Sequence, residues 1–318
     1  MAKKKNRTKR KRKTKADGWG LSLQPLEVAR DHPKLIRGMA IIAIVGVLVY
    51  GVSLGLDRLE AFVHAQARYD RSLALEWENL PDWLQLRENQ HILKTLTRRL
   101  NLRESDRQLD VHLASRLGTA LSNPEIGWVR SVERILVRPD GVVSVRCQFR
   151  RPTAWVLQED YCYLVDSDGI RLPGRYEPEM CERSPLLTID GVASPPPGIG
   201  QLWPGADLAS GLKLAALIVD QPFRRQVNQI VVSNHDGRID RNRAHLEIAT
   251  DRPGSRIWWG RPPDEEYGTE VPAARKIALL ETLYQQWGRI DLNRAYVDVR
   301  THPDSVSLPA VMQPVTHQ

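Results

Sequence analysis

The sequence lacks the motifs by which most enzyme classes are recognised. Its 318 residues contain no glycine-rich phosphate loop, no H-E-x-x-H zinc motif and no G-x-S-x-G nucleophile elbow,. Two polar clusters remain: the acids of 264–266, which could serve glycosidic chemistry, and His235 with Asp236 and Asp240, which could hold a metal,. The first adjoins two prolines and is typical of a solvated loop, and the second is typical of a turn. We therefore expect no catalytic residue, no cofactor and no metal.

Charge is missing from the nineteen residues 38–56. A helix of that length spans roughly 28 Å, close to the thickness of the hydrocarbon core of a bilayer. Residues 1–37 carry thirteen Lys/Arg against three Asp/Glu, whereas residues 57–75 carry three of each. Because positive charge stays on the cytoplasmic side, we predict one transmembrane helix over 38–56, a cytoplasmic tail over 1–37 and an extracytoplasmic body. The helical stripe continues past the membrane to about Ala67.

A cleaved signal peptide is the alternative for the same apolar run. The apolar core of a signal peptide is normally about 7–15 residues long, with the cleavage site close behind it. Here 37 residues precede the run, and its A-x-A match at residues 65–67 lies beyond the charged residues Asp57, Arg58 and Glu60. These features favour a retained anchor.

Aromatic residues are missing from the basic run of residues 3–15. A surface that binds single-stranded nucleic acid by base stacking would need them. Without the tail, the net charge of +8 becomes −2 for residues 38–318. The basic character therefore belongs to the tail alone. Topology and the anionic lipid of the cytoplasmic leaflet account for it, and we expect no specific nucleic-acid partner.

Beyond the membrane, the hydrophobic periodicity predicts a small α+β module over 70–152. A first strand at 73–77 precedes two helices, one near Gln90–Leu100 and one near 106–122, each with apolar residues at every fourth position,. Strands at 132–138 and 142–150 then flank a Pro-Asp-Gly turn,. The predicted order is β-α-α-β-β.

Residues 153–310 are predicted to be mostly strands. The strands are expected at 160–166, 185–190, 229–233, 244–250, 256–259, 296–300 and 305–308,. A short amphipathic helix is expected around 208–219. A later helix should open at Pro272 and end at Gly288, with Ile277, Leu280, Leu283, Tyr284 and Trp287 on its apolar face,. The fold class is therefore α+β: a single transmembrane helix, the β-α-α-β-β module and a mostly antiparallel β domain with a late helix.

In this order of elements, the chain resembles the bacterial cell-division protein family FtsQ, also called DivIB. Five short motifs carry the resemblance: N-P-E-I-G-W-V at 123–129, R-P-T-A-W-V at 151–156, L-V-D-S-D-G at 164–169, I-W-W-G at 257–260 followed by Lys276, and Y-V-D-V-R at 296–300. The resemblance implies a POTRA module over 70–152, an FtsQ-like β domain over 153–310 and a C-terminal tail over 311–318.

The resemblance also implies a function. It points to a non-enzymatic, bitopic scaffold in the cell inner membrane that recruits other division proteins: FtsB-like and FtsL-like partners, with FtsW-like and FtsI-like proteins as further candidates. Two alternatives stay open. A membrane-anchored cell-wall hydrolase would need acids that converge in one pocket, and a POTRA-type chaperone of secretion or outer-membrane assembly would usually carry POTRA repeats or a barrel.

The partner is expected at the last hairpin, formed by 296–300 and 305–308, because the edge of a sheet presents unpaired backbone groups to an incoming strand. Alternation places Val297 and Val299 in the core. Pro303 and Pro309 lack N–H donors and should limit the open edge. The resemblance also implies that the partner binds this end of the β domain by strand addition, with Tyr296, Asp298 and Arg300 on the matching strand. The expected partner-binding residues are Tyr296, Asp298, Arg300, Ser305, Val306, Ser307 and Leu308.

The chain has little cysteine, three residues in all. Cys162 and Cys181 flank a segment of the length of a hairpin and are the better pair for a disulfide. An extracytoplasmic compartment would permit this bond. Cys147 is expected as a small core residue on the inward face of its strand. An odd number of cysteines is also compatible with no disulfide.

Overall fold

The computed structural model describes residues 33–64, 72–103, 105–302 and 306. The chain divides into two compact units, Met1–Gln66 and Ala67–Gln318, and each is described by itself. The predicted basic tail, except for its last residues, and the predicted C-terminal tail lie outside the described residues.

The first unit contributes one long helix, α1, over Pro33–His64. Within it, Arg37–Phe62 form a 26-residue span with a mean hydropathy of 2.4, long and apolar enough to cross a membrane. Proline is absent after position 33 of this helix, and its isoleucines, valines and leucines between Ile41 and Leu59 are exposed. The helix extends the predicted span at both ends, and it continues past Asp57 to His64 as the apolar stripe indicates.

The second unit begins with a three-stranded sheet in the order β1-β3-β2. Strand β1 runs parallel to β3, and β2 runs antiparallel to β3. Helices pack against this sheet. The elements in chain order are β1 Ala74–Glu78, α2 Asp82–Gln85, α3 Gln90–Leu100, α4 Leu113–Leu121, β2 Val129–Val137 and β3 Val142–Phe149. The predicted β-α-α-β-β order is present, with the one-turn helix α2 in addition.

Helix α4 starts at Leu113 and not near residue 106 as predicted. The Asp106 carboxylate accepts hydrogen bonds from the backbone N–H of Arg103 and from the Arg116 guanidinium, and that of Asp110 accepts from the N–H of His112. Side chains that bond the local backbone in this way stabilise turns in competition with helix. The predicted helix is therefore one to two turns too long at its start.

A seven-stranded sheet follows, in the order β10-β9-β8-β7-β6-β4-β5. Its strands are β4 Ala154–Gln158, β5 Tyr161–Val165, β6 Leu187–Asp190, β7 Val227–Val231, β8 Leu246–Thr250, β9 Arg256–Gly260 and β10 Tyr296–Asp298. The helices are α5 Pro178–Glu182, α6 Ala206–Ile218 and α7 Ala273–Trp287.

The sheet is mixed, which corrects the prediction of a mostly antiparallel domain. Of its six strand pairings in the described part, three are antiparallel, between β4 and β5, β7 and β8, and β8 and β9. The other three, β4 with β6, β6 with β7, and β9 with β10, are parallel. Helices explain two of these, because α6 connects β6 to β7 and α7 connects β9 to β10, and a helical crossover returns the chain to the same end of the sheet.

Helices α6 and α7 share one hydrophobic core with the seven-stranded sheet. In α7, Leu280 and Leu283 are buried, and Gly288 ends the helix in the left-handed conformation as predicted. Trp287 was expected on the buried face but is 69% exposed. It continues the apolar stripe one turn beyond the last buried leucine, where the helix has passed the core.

A second core joins the small sheet to the β4–β5 end of the large one. It contains the leucines of α3 and α4 together with Trp155, Cys162 and Leu164. At the junction, Arg150 and Asp166 form an ion pair of 2.6 Å in which both side chains are mostly buried. The predicted boundary between residues 152 and 153 therefore separates two sheets that share one continuous core.

Candidate functional site: the open edge of the seven-stranded sheet

Strand β10 lies at one end of the seven-stranded sheet and pairs with β9. The N–H of Arg256 donates to the carbonyl of Ala295 at 3.0 Å, and the N–H of Val299 donates to the carbonyl of Trp258 at 3.4 Å. In a strand, the backbone groups of alternate residues point to opposite sides. The N–H and C=O groups of Tyr296 and Asp298 therefore point away from β9, toward the open edge.

The open edge ends at Arg300. The N–H of this residue donates to Oδ1 of Asp298 at 3.0 Å, and its carbonyl accepts from the N–H of Val271 at 2.8 Å. Both backbone groups are therefore engaged within the protein. Among the described residues, no strand pairs with this side of β10, which leaves an incoming strand the two N–H and two C=O groups of Tyr296 and Asp298 and limits backbone pairing to a short segment,.

The side chains of β10 alternate as the sequence predicts. Val297 and Val299 are fully buried beneath the sheet, and Tyr296 and Arg300 are half-buried on its other face. Asp298 is also buried. The cost of burying its carboxylate is offset, because both oxygens accept hydrogen bonds from the Arg300 guanidinium, at 2.9 and 2.8 Å. The carboxylate in turn raises the pKa of Arg300 above its usual range. This pair fixes the end of the strand.

An aromatic and charged surface, here called the outer face, continues from β10 onto β9 and β8. The ring of Tyr296 stacks on that of Trp258, with centroids 4.0 Å apart and planes 2° from parallel. The Arg300 guanidinium lies 5.5 Å from the Trp258 ring centroid, within the range of a cation–π interaction,. Glu247 on β8 pairs with Arg243 at 3.4 Å and with Arg256 at 4.0 Å. The outer face thus presents mutually paired aromatic and charged side chains beside β10.

The other predicted partner-binding residues are described only in part. Val306 is half-buried and packs against the core that α6 and α7 share with the sheet. Ser305, Ser307 and Leu308 lie outside the described residues, so the predicted strand at 305–308 and its hairpin with β10 stay predictions.

The two polar clusters singled out as candidate chemistry have structural partners. Glu265 pairs with Lys213 at 3.0 Å, and Glu266 accepts a hydrogen bond from the backbone N–H of Ala273 at the start of α7. His235 is buried and its Nε2 lies 3.0 Å from the Ser210 hydroxyl. Within the described residues, no group of three His, Cys, Asp or Glu side chains is arranged to hold a metal ion.

Lys276, noted in the sequence only as part of a family motif, is a buried residue that the sequence reasoning missed. Its side chain is fully buried on α7, with Nζ 2.7 Å from Oε1 of Glu270 and 4.9 Å from the Trp259 ring centroid. Burial lowers the pKa of Lys276, and the hydrogen bond to Glu270 opposes that shift. Its burial could have been predicted from the sequence, because Lys276 lies four residues before Leu280 and therefore on the same, buried side of the helix,. The pair ties the loop after β9 to α7, close to the end of the strand that supports β10.

Cys162 on β5 and Cys181 on α5 form a disulfide, with their Cα atoms 6.5 Å apart. Cys147 on β3 is a buried free thiol, and burial raises its pKa to about 11. A thiol in this state is a weak nucleophile at neutral pH, which suits the expected core role.

Comparison with known proteins adds no family assignment: no protein-family model matches the chain, and no curated protein matches it.

Proposed function

We propose that this protein is a non-enzymatic, bitopic membrane scaffold of the FtsQ/DivIB type, which recruits other membrane proteins of the division machinery. One observation carries the proposal: a short β10 edge that no described strand covers, flanked by an aromatic and charged face, in a chain that has a helix long and apolar enough to span a membrane. The order of the sequence motifs along the chain supports the same assignment.

In the proposed arrangement, α1 anchors the protein in the cell inner membrane with the basic tail in the cytoplasm. The body is extracytoplasmic. Anionic lipid of the inner leaflet would hold the basic tail near the membrane surface. The proposed partners are FtsB-like and FtsL-like division proteins, with FtsW-like and FtsI-like proteins as further candidates.

The proposed mechanism is β-strand addition. A partner segment pairs with the outward backbone groups of Tyr296 and Asp298, and its side chains contact the outer face and the segment around Val306. Backbone pairing supplies affinity, and the side-chain contacts supply specificity. Because the edge is only about three residues long, the side chains must carry a large share of the binding energy, with Tyr296 and Trp258 as the anchors.

The acids of 264–266 give no support to the hydrolase alternative. Glu265 and Glu266 are engaged by Lys213 and by the start of α7, in different directions, and they do not converge on a pocket. A retaining or inverting glycosidase needs two carboxyl groups that face each other across the scissile bond.

Two substitutions of Tyr296 test strand addition at the same position. Tyr296→Ala removes the stacked ring but keeps the outward N–H, whereas Tyr296→Pro removes both; an edge position whose N–H faces solvent tolerates proline. We expect co-purification of the FtsB-like and FtsL-like proteins to fall several-fold with Tyr296→Ala and to be lost with Tyr296→Pro. Equal capture by the two variants would count against backbone pairing at this edge. Val306→Pro should also abolish capture, with a modest loss of thermal stability because Val306 packs partly against the core.

Imaging tests the cellular role separately. A fluorescent protein fused to the N-terminus should be enriched at midcell in dividing cells, and depletion of the protein should give filamentous cells. A uniform distribution around the cell periphery with normal division would contradict the division role, whatever the outcome of the capture experiment.

A further inference from the structure

Helix α3 (Gln90–Leu100) presents a cationic side to solvent. Its other side is buried in the core through Ile92, Leu96 and Leu100. On the exposed side, Lys94 and Arg98 are four residues apart, which places them next to each other on the helix surface,. Acidic residues are absent from the helix itself.

The cations of this region are not neutralised within the described part of the body. Residues 86–103 contain five Lys/Arg and one acid, Glu88. Among the described residues, the side chains of Arg87, Lys94, Arg98 and Arg99 have no ion-pair or hydrogen-bond partner. Arg98 and Arg99 lie in the last helical turn, where the helix dipole favours them,. Lys94 has no such explanation, and like charges four residues apart destabilise a helix.

The connection to α1 suggests what these cations face. Residues 65–71 join α1 to the described start of the second unit. A chain of seven residues spans at most about 25 Å. The length of this connection therefore limits how far the described start of the body can lie from the end of α1. Leu86, the first residue of the stretch 86–103, is 50% exposed and adds an apolar contact of the kind found at membrane interfaces,.

We propose that the exposed side of α3 binds anionic phospholipid headgroups on the extracytoplasmic side of the membrane. The charge of residues 86–103 is complementary to such a surface, and each cation near it adds to the attraction. This contact would orient the body on the membrane. The proposal rests on membrane insertion of α1 and not on partner recruitment, so the Tyr296 variants should leave it unaffected.

The lysines of the body provide a direct test. Residues 38–318 contain three: Lys94 on α3, Lys213 on α6 and Lys276 on α7. The full chain is reconstituted in nanodiscs of phosphatidylcholine, with or without phosphatidylglycerol, and treated with a membrane-impermeant amine reagent, and modification is measured by mass spectrometry. We expect Lys94 to react about threefold more slowly in anionic nanodiscs than in neutral ones. Lys213, which is half exposed, should react equally in both.

Salt, phosphate and charge variants complete the experiment. High salt should restore the reactivity of Lys94, because it screens surface charge. Inorganic phosphate added to neutral nanodiscs should give no protection; protection there would indicate a site for free anions and overturn the membrane assignment. The double variant Arg98→Gln/Arg99→Gln should lose most of the protection, whereas Arg225→Gln/Arg241→Gln, which removes two exposed arginines elsewhere, should keep it.

Lys276 reports folding in every sample, because it is fully buried and stays unmodified while the body is folded. Equal reactivity of Lys94 in neutral and anionic nanodiscs, with Lys276 protected, would overturn the proposal. Full protection in the folded Arg98→Gln/Arg99→Gln variant would do the same.

Discussion

At the scale of single residues, Asp291 is a buried carboxylate held by several donors. The Arg289 guanidinium, the Thr250 hydroxyl and the backbone N–H of Asn293 all donate to it, at 2.8 to 3.0 Å. Burial opposes ionisation of the carboxyl, but these hydrogen bonds outweigh it and lower the pKa of Asp291 to about 2. Because the unfolded chain has the ordinary pKa near 3.8, ionised Asp291 stabilises the fold above about pH 4 and loses this effect as the pH falls toward 2,.

Asp291→Asn should therefore weaken the dependence of folding stability on pH below about pH 4. At neutral pH the variant should be less stable by roughly 1–3 kcal/mol, and between about pH 4 and pH 2.5 its melting temperature should fall less steeply than that of the unmodified protein. Thermal unfolding in detergent, followed by tryptophan fluorescence, measures both. Asp251→Asn is the matched control: it removes the exposed partner of the same Arg289 and should cost about 1 kcal/mol or less,. If the melting temperatures of the Asp291 variant and of the unmodified protein fell equally steeply between about pH 4 and pH 2.5, this role would be contradicted.

Cys162 and Cys181 give a second prediction at the residue scale. Their sequence separation is 19, so the disulfide closes a loop of about 20 residues, and chain entropy assigns roughly 3 kcal/mol of stabilisation to it,. Freshly isolated protein, treated with a thiol-blocking reagent, should show one free cysteine, Cys147, which reacts only after denaturation. Finding three free thiols in fresh membranes would contradict the disulfide. An unchanged melting temperature of the Cys162→Ser variant would contradict its contribution to stability.

At the scale of elements, two glycines of helices α4 and α7 should respond to the same substitution with opposite signs. Gly118 lies inside α4, where a Cβ atom would be 3.7 Å from Ile135, an ordinary contact. Gly288 ends α7 with φ of 72°, a conformation that strains other residues,. Gly118→Ala should stabilise the body by about 0.5–1 kcal/mol, and Gly288→Ala should destabilise it by about 1 kcal/mol.

The shift in melting temperature relative to the unmodified protein checks both glycine variants. Each serves as the control for the other, since the added methyl group is identical and only the backbone conformation differs. Shifts of the same sign would show that packing around the methyl group, and not backbone conformation, determines the outcome.

At the scale of the whole molecule, the predicted topology places the basic tail and the body on opposite sides of the membrane. With α1 in the bilayer and the basic tail inside, protease added to spheroplasts should degrade the body and leave an anchored N-terminal fragment of a few kilodaltons. Permeabilised cells, in which the tail is also accessible, are the control and should leave a smaller fragment. A soluble protein that begins near Gln66 would instead show cleavage after the apolar run.

Local patterns in the sequence determined much of this architecture. The four-residue spacing of apolar residues predicted α3 and the buried stripe of α7, and the Pro-Asp-Gly turn predicted the pairing of β2 with β3. The 19 uncharged residues of 38–56 predicted the membrane-capable helix. These features can be predicted because each depends on a continuous local stretch of the sequence.

Only the tertiary structure decided the order and direction of the strands in the large sheet. The pairing of β6 with β7 and of β9 with β10 depends on where α6 and α7 return the chain, and no periodicity in a strand records the direction of its neighbour,. The same holds for the partners of buried charges. Lys276 could be placed on the buried stripe from sequence, but its pairing with Glu270 depends on how the loop after β9 folds back onto α7. The edge position of β10 is likewise a property of the assembled sheet, because a strand becomes an edge only when the rest of the sheet lies on its other side.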